Sequence, residues 1–208
     1  ARAQEAFEEV ARLVQEEGMT LIPPFDDPLI AAGQGTIGIE ILEDLPRVDR
    51  VIVGLSGGGL LGGIGAALKG VRPQARISGV SLSAGAAMCE SLKAGKPVAV
   101  EEVESLGDSL GGGIGLDNRC TLALVEAVMD DHCQVSEGAI AQAMVDMLES
   151  EKLLVEGAAA VGLAALAEGH LEVKGERVVL VLSGNGVSLD TLDQARRLAA
   201  DCASQGQR

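Results

Sequence analysis

Residues Arg50–Leu55 read RVIVGL and run directly into Ser56–Gly63, SGGGLLGG. The first stretch is a continuous apolar run, the kind that a parallel sheet buries on both faces. Ser56–Gly59 is a glycine loop, and Leu60–Gly70 has the pattern of a helix. Strand, glycine turn and helix in that order open a βαβ unit. Downstream the alternation recurs. Arg76–Val80 is the next predicted strand, and Ala84–Ala94 a helix with Met88 and Leu92 on one face. Residues 96–115 are irregular, with a second glycine cluster at Gly111–Gly113 and Gly115. Helices are predicted near 117–129, 136–149 and 157–168, then a buried strand Arg177–Leu182 (RVVLVL), a loop Ser183–Gly186 (SGNG) and a helix over 188–200. Upstream, Phe7, Val10 and Val14 mark an amphipathic helix over 3–17 that Gly18 ends. A short strand Met19–Ile22, a linker through Pro23, Pro24 and Pro28, and a helix from Gly35 to Leu45 follow. The expectation is an α/β fold: a parallel twisted sheet flanked by helices on both faces.

Composition narrows the function classes. The chain has 208 residues, 47% hydrophobic and 23% charged, enough for a sizeable core. Trp and Tyr are absent and Phe occurs 2 times, so that core is aliphatic. A net charge of -15 makes nucleic acid and anionic membrane poor partners. No apolar run is long enough for a transmembrane helix, and the opening ARAQEAFEEV reads as a helix, not a signal peptide. Cys89, Cys120, Cys133 and Cys202 are widely spaced, and His132 and His170 lack ligand spacing. No metal site is expected, and the cytoplasm is the expected compartment.

The glycine loop carries the chemistry. Glycines let backbone N–H groups converge on an anion, and the following helix adds its positive end. Residues 56–60 therefore form a phosphate cradle; the bland alternative is a tight strand-to-helix turn. A P-loop is excluded because no Gly-Lys-Ser/Thr follows. Gly57-x-Gly59-x-x-Gly62 fits the dinucleotide pattern, but that pattern needs an acid after the next strand, and Gly79–Ser83 reads GVSLS. A cofactor with a single phosphate, such as pyridoxal 5′-phosphate (PLP), is the third reading.

Three ordered motifs carry a resemblance: Ala32–Thr36 (AGQGT), Ser56–Gly59 (SGGG) and Val181–Asn185 (VLSGN). Their order and spacing resemble the serine/threonine dehydratases and serine racemases, which are fold-type II PLP enzymes. Gly79–Ser91 (GVSLSAGAAMCES) and Ser109–Arg119 (SLGGGIGLDNR) look closest to the hydroxyectoine-utilisation dehydratases. The resemblance implies the large domain of a tryptophan synthase β-like fold over 23–208, with 1–22 as a remnant of the small domain. It implies backbone amides of Ser56, Gly57, Gly58, Gly59 and Leu60 on the PLP phosphate. Ser183 would bond the pyridine nitrogen; as a neutral hydroxyl it does not force that nitrogen to stay protonated. Ser183 as a turn former, and Glu156 as a surface charge at a helix start, are the bland alternatives. By resemblance Glu156 lies near the pocket, and Asp108 and Ser109 line its substrate side.

The sequence also departs from the family. The Ser-x-Lys-x-Arg-Gly segment, whose Lys forms the Schiff base, and a Ser-x-Gly-Asn-His segment have no counterpart here. Lys69, Lys93, Lys96, Lys152 and Lys174 lack that context. The expectation is a fold incomplete at its N-terminus, with no catalytic lysine, completed by a missing N-terminal segment or chain. Ser81, Ala86 and Ala87 stand where relatives place cation-binding carboxylates. The resemblance implies β-elimination on a small β-hydroxy amino acid, threonine/serine-like or hydroxyectoine-derived, by a homodimer. A racemase, an inactive PLP-binding fragment and a nicotinamide-binding domain are the alternatives.

Overall fold

The computed structural model describes residues 3–205. Helix α1 spans Ala3–Glu17 and α2 Pro28–Asp44. Strand β1 is Arg50–Gly54, α3 Gly59–Val71, β2 Arg76–Leu82 and α4 Ala87–Ala94. A 3-10 turn at Asp108–Leu110 precedes α5 (Thr121–Val128), β3 (Asp131–Val135) and α6 (Glu137–Asp146). A π-helical turn, Met147–Glu151, leads to α7 (Gly157–Ala167), β4 (Val178–Leu180) and α8 (Leu189–Gln205).

The strands form one parallel sheet in the order β3-β2-β1-β4. The chain steps outward from β1 through β2 to β3, then returns across the sheet to place β4 on the free side of β1. Right-handed crossovers put the helices of the outward run on one face and those of the return on the other. Two apolar cores result. Val51, Val53 and Leu55 alternate with Ile52 along the β1 stretch. The first three pack with Leu61, Ile64, Leu68 and Val125 under the helices of the outward run. Ile52 joins Val80, Leu82, Ile140, Met144 and Val161 under α6 and α7. Burying one such side chain contributes about 1.5–3 kcal/mol.

The central reading therefore holds, and four details differ from expectation. Met19–Ile22 is not a strand: Met19, Leu21 and Ile22 are exposed and have no strand partner among the described residues. Helix α2 starts at Pro28 instead of Gly35, because Asp27 caps it by accepting from the Leu29 and Ile30 N–H groups at 2.7 and 3.4 Å. A carboxylate cap followed by proline at the first helical position is a strong start signal. Strand β3 lies inside a stretch (DHCQV) too polar to read as sheet; it is an edge strand that buries only Val135 fully. Residues 117–120 form the approach to α5 and not its first turn. The AGQGT motif has a packing role. A Cβ on Gly63 would overlap the Ala31 carbonyl oxygen and lie 2.9 Å from the Gly35 nitrogen, so α2 and α3 cross backbone against backbone.

At the N-terminal edge of the sheet, the Arg50 side chain is 2% exposed. Its guanidinium donates to Glu176 at 2.6 Å, to the Ser78 hydroxyl at 2.7 Å and to Asp131 at 3.0 Å. One side chain thus ties together the starts of all four strands, Glu176 lying just ahead of β4.

Candidate active site

In an open parallel sheet, ligands bind beyond the C-terminal ends of the strands, where the strand order reverses. Here that point lies between β1 and β4. Ser56–Gly59 leaves the end of β1, and Ser183–Gly186 leaves the end of β4. The ladder continues past β4 through Val181 N–H to the Ile52 carbonyl at 3.0 Å, so the two loops leave adjoining strands.

The glycine loop has the form of an anion cradle. Gly57, Gly58 and Gly59 are buried, and Gly58 sits at φ +88°, a conformation that favours glycine. Gly58 is also the residue from which α3 starts, and no side chain caps that helix. Among the described residues, none of the N–H groups of Ser56, Gly57, Gly58, Gly59 and Leu60 has a protein acceptor. Buried backbone N–H groups are rarely left unpaired. A run of them at a helix N-terminus fits a bound phosphate. A Cβ on Gly57 would strike the Phe25 ring, and one on Gly58 would meet Met88 and Val125 at 2.7 and 2.9 Å. The cradle accepts no side chains of its own.

The other predicted residues gather around the same edge. Glu156 precedes α7, and its N–H donates to the Gly184 carbonyl at 3.2 Å. Its carboxylate accepts from the Gly186 N–H at 3.2 Å, so Glu156 braces the Ser183–Gly186 loop. Ser183 itself is exposed, just past the end of β4. Asp108 and Ser109 lie on the 3-10 turn, and the Asp108 carboxylate accepts from the Ser109 N–H at 2.7 Å. That turn rests on the ends of β1 and α7: a Cβ on Gly54 would lie 3.4 Å from Leu110 and 3.2 Å from the Ala158 carbonyl. Glu137 holds the approach to it, accepting from the Leu106 N–H at 3.0 Å and from the Ser105 hydroxyl.

Phe25 and Asp26 escaped the sequence reading because Pro23, Pro24 and Pro28 made the segment look like a linker. Asp26 accepts from the N–H groups of Arg119, Cys120 and Thr121 at 2.8, 2.9 and 2.9 Å, at the start of α5. Burial works to raise its pKa, but the Arg119, Thr121 and Cys120 hydrogen bonds outweigh it and hold Asp26 below the usual carboxylate range. Burial makes three of the thiols poor nucleophiles: it pushes Cys89 and Cys120 up, and Cys133 up to about 11. Nor does a lysine reach the cleft from four of the candidate positions. Lys69 pairs with Asp130 at 2.8 Å, Lys93 with Glu90 at 2.8 Å, and Lys152 with the Glu149 carbonyl. Lys174 lies beside Arg50 and Glu176 at the opposite edge of the sheet. Ser81, Ala86 and Ala87 are buried. No helix among the described residues is long and apolar enough to cross a membrane.

Known proteins resemble this chain in sequence and fold. The family described as pyridoxal-phosphate dependent enzymes matches residues 1–184. A Sinorhizobium fredii protein provisionally named threonine dehydratase is 51% identical over 181 residues, covering 87% of this chain and 54% of that protein. The L-threonine ammonia-lyase of Thermotoga maritima is 38% identical over 190 residues, 91% of this chain and 47% of its own length. Maize serine racemase superposes with a TM-score of 0.83 at 30% identity, covering 98% of this chain and 63% of that one. The chain thus spans about half the length of the curated relatives it matches.

Proposed function

The chain belongs to the family of pyridoxal-phosphate-dependent enzymes, and from that membership we propose that it forms the cofactor-binding part of a dehydratase-type ammonia-lyase. The substrate is a small β-hydroxy amino acid, threonine- or serine-like or derived from hydroxyectoine, and the products are a 2-oxo acid and ammonia. The observation that carries the reading is the run of N–H groups from Ser56 to Leu60 without a protein acceptor among the described residues, past the end of β1, the strand that adjoins the one leading to Ser183.

Pyridoxal phosphate, when bound, supplies an electron sink for chemistry at an amino-acid α-carbon. The chain's own residues supply position. The backbone of Ser56–Leu60 would hold the phosphate through its N–H dipoles and the α3 terminus. Ser183 offers a neutral hydroxyl to the pyridine nitrogen, which suits elimination because the departing hydroxyl carries the electrons away. Glu156 keeps the Ser183 loop in register, and the Asp108–Ser109 turn closes the substrate side. The lysine that binds the cofactor and moves the α-proton comes from outside residues 1–208. Residues 23–208 are the large domain, 1–22 belong to the small one, and the working unit is a cytoplasmic homodimer.

The test is to supply L-threonine and L-serine with PLP to purified protein carrying this chain and a lysine-bearing N-terminal segment, and to measure 2-oxo acid and ammonia. Release of both is expected, and Ser183→Ala should lower kcat about 10-fold or more, since a pyridine-nitrogen partner tunes the cofactor. Borohydride reduction followed by peptide mapping should leave every lysine of residues 1–208 unmodified. Covalent PLP on one of them would refute the assignment of the lysine. D-Serine accumulating without a 2-oxo acid would make the protein a racemase. Tight NADH binding with no PLP affinity would replace the reading entirely.

A further inference from the structure

The geometry points to Asp26 as a positioning residue for the phosphate cradle: through its hold on α5 it seats Phe25 against the glycine loop and so fixes the direction of the loop's N–H groups. The inference rests on the function proposed above and extends it to a residue outside the cleft motifs.

Three contacts carry it. First, Asp26 is bonded to three successive backbone N–H groups, so its place relative to the α5 terminus is fixed. Second, that terminus packs against the loop: a Cβ on Gly58 would lie 3.2 Å from the Thr121 Cβ, and Thr121 is fully buried. Third, the neighbouring residue of Asp26 covers the loop's other side. The Phe25 ring occupies the space a Cβ on Gly57 would need, and its Cα and carbonyl oxygen lie 3.1 and 3.2 Å from where a Cβ on Gly59 would sit. The glycine loop is thus gripped between Phe25 and Thr121, and Asp26 bonds directly to the second while being covalently next to the first. Glycine loops are the least restrained backbone a protein can build. One aimed at a phosphate needs such an external mould to keep its donors converged without the ligand.

The same contacts explain how a carboxylate can sit close to an anion site. The Asp26 charge is spent on the start of α5, which would otherwise be a second positive helix end beside the cradle. Of these two helices, α3, which Gly58 precedes, keeps its N-terminal donors open among the described residues. Anion binding is therefore directed to one helix of two.

The test compares affinities for pyridoxal 5′-phosphate and for pyridoxal, which lacks the phosphate, by titration of the full protein. In the native protein the phosphate should supply most of the affinity. Asp26→Ala should weaken PLP binding about tenfold or more, near 1.4 kcal/mol, while pyridoxal affinity stays within about twofold. The phosphorus NMR signal of bound PLP should move toward its free position. Asp26→Asn keeps an accepting oxygen and should lie between the two; it carries the test alone if Asp26→Ala does not fold. Equal loss of PLP and pyridoxal affinity would make Asp26 a merely structural residue and overturn the inference, as would unchanged PLP affinity. If the native protein itself binds PLP no better than pyridoxal, the phosphate cradle falls and this inference with it.

Discussion

Arg50→Ala is expected to cost about 3–5 kcal/mol of folding free energy, the range for removing one partner from a buried ion pair. Whole domains are stable by only about 5–15 kcal/mol, so the variant should lose a large share of its stability and melt at a clearly lower temperature. The size of the effect follows from what is left behind. Asp131 and Glu176 would keep their charges without the guanidinium that they share, and the Ser78 hydroxyl would lose its donor. Thermal denaturation followed by circular dichroism checks it; a loss under 1 kcal/mol would mean that water substitutes for the arginine. The same cluster contributes to the acid limb of the stability curve. The Arg50 hydrogen bond holds Glu176 below the usual carboxylate range. For Asp131, burial works upward, but hydrogen bonds from Ser78 and Arg50 outweigh it, and the net is also downward. Both folded-state values lie below the unfolded ones of about 4. Their contribution is therefore complete above that value and is lost as the pH falls through the lowered ones. The native protein should lose stability in that acid window more steeply than Arg50→Met does.

Gly157→Ala should impair activity and stability together. The added Cβ would overlap the Leu106 carbonyl group and lie 2.9 Å from the Gly107 nitrogen. Both neighbours are backbone, so neither can swing aside as a side-chain tip can. One side is the first turn of α7; the other is the segment that Glu137 fixes through the Leu106 N–H. Relief requires the Asp108–Ser109 turn to leave the cleft. Overpacking of this kind costs about 1–3 kcal/mol, and a displacement of about 1 Å at a reacting site can cost about 100-fold in rate. The expected result is a folded protein with kcat/KM down by about two orders of magnitude and a lowered melting temperature. Unchanged kinetics would place the 3-10 turn outside the functional cleft.

How far the sequence disclosed this arrangement depended on the range of the forces involved. The βαβ core was legible because RVIVGL and RVVLVL are local signals that only a two-sided burial explains. Ser56–Leu60, Ser183, Glu156, Asp108 and Ser109 could be singled out as candidates because glycine runs and motif order need no three-dimensional knowledge. Their common edge was then fixed by one topological fact, that β4 lies beside β1. The strand Met19–Ile22 failed because apolar residues alone do not make a strand without a neighbour to pair with. Asp26 was hidden for the opposite reason. Its partners at Arg119–Thr121 are far along the chain, and no local pattern announces a carboxylate that caps a distant helix. Asp27, next door, could have been found: a cap followed directly by Pro28 is a local rule.

Strand β4 has a further meaning for motion. Strand β1 is paired on both sides, whereas β4 pairs with β1 through three residues and shows its other edge unpaired among the described residues. Opening costs less free energy at such a margin than at the centre of a sheet. The cleft therefore has walls of unequal stiffness. The Ser56–Gly59 side stands on a strand paired along both edges, and the Ser183 side on one paired along a single edge among the described residues. A ligand anchored at the first would stay in place while the second breathes, so hydrogen exchange should be fast at Val178–Leu180 and slow at Val51–Val53.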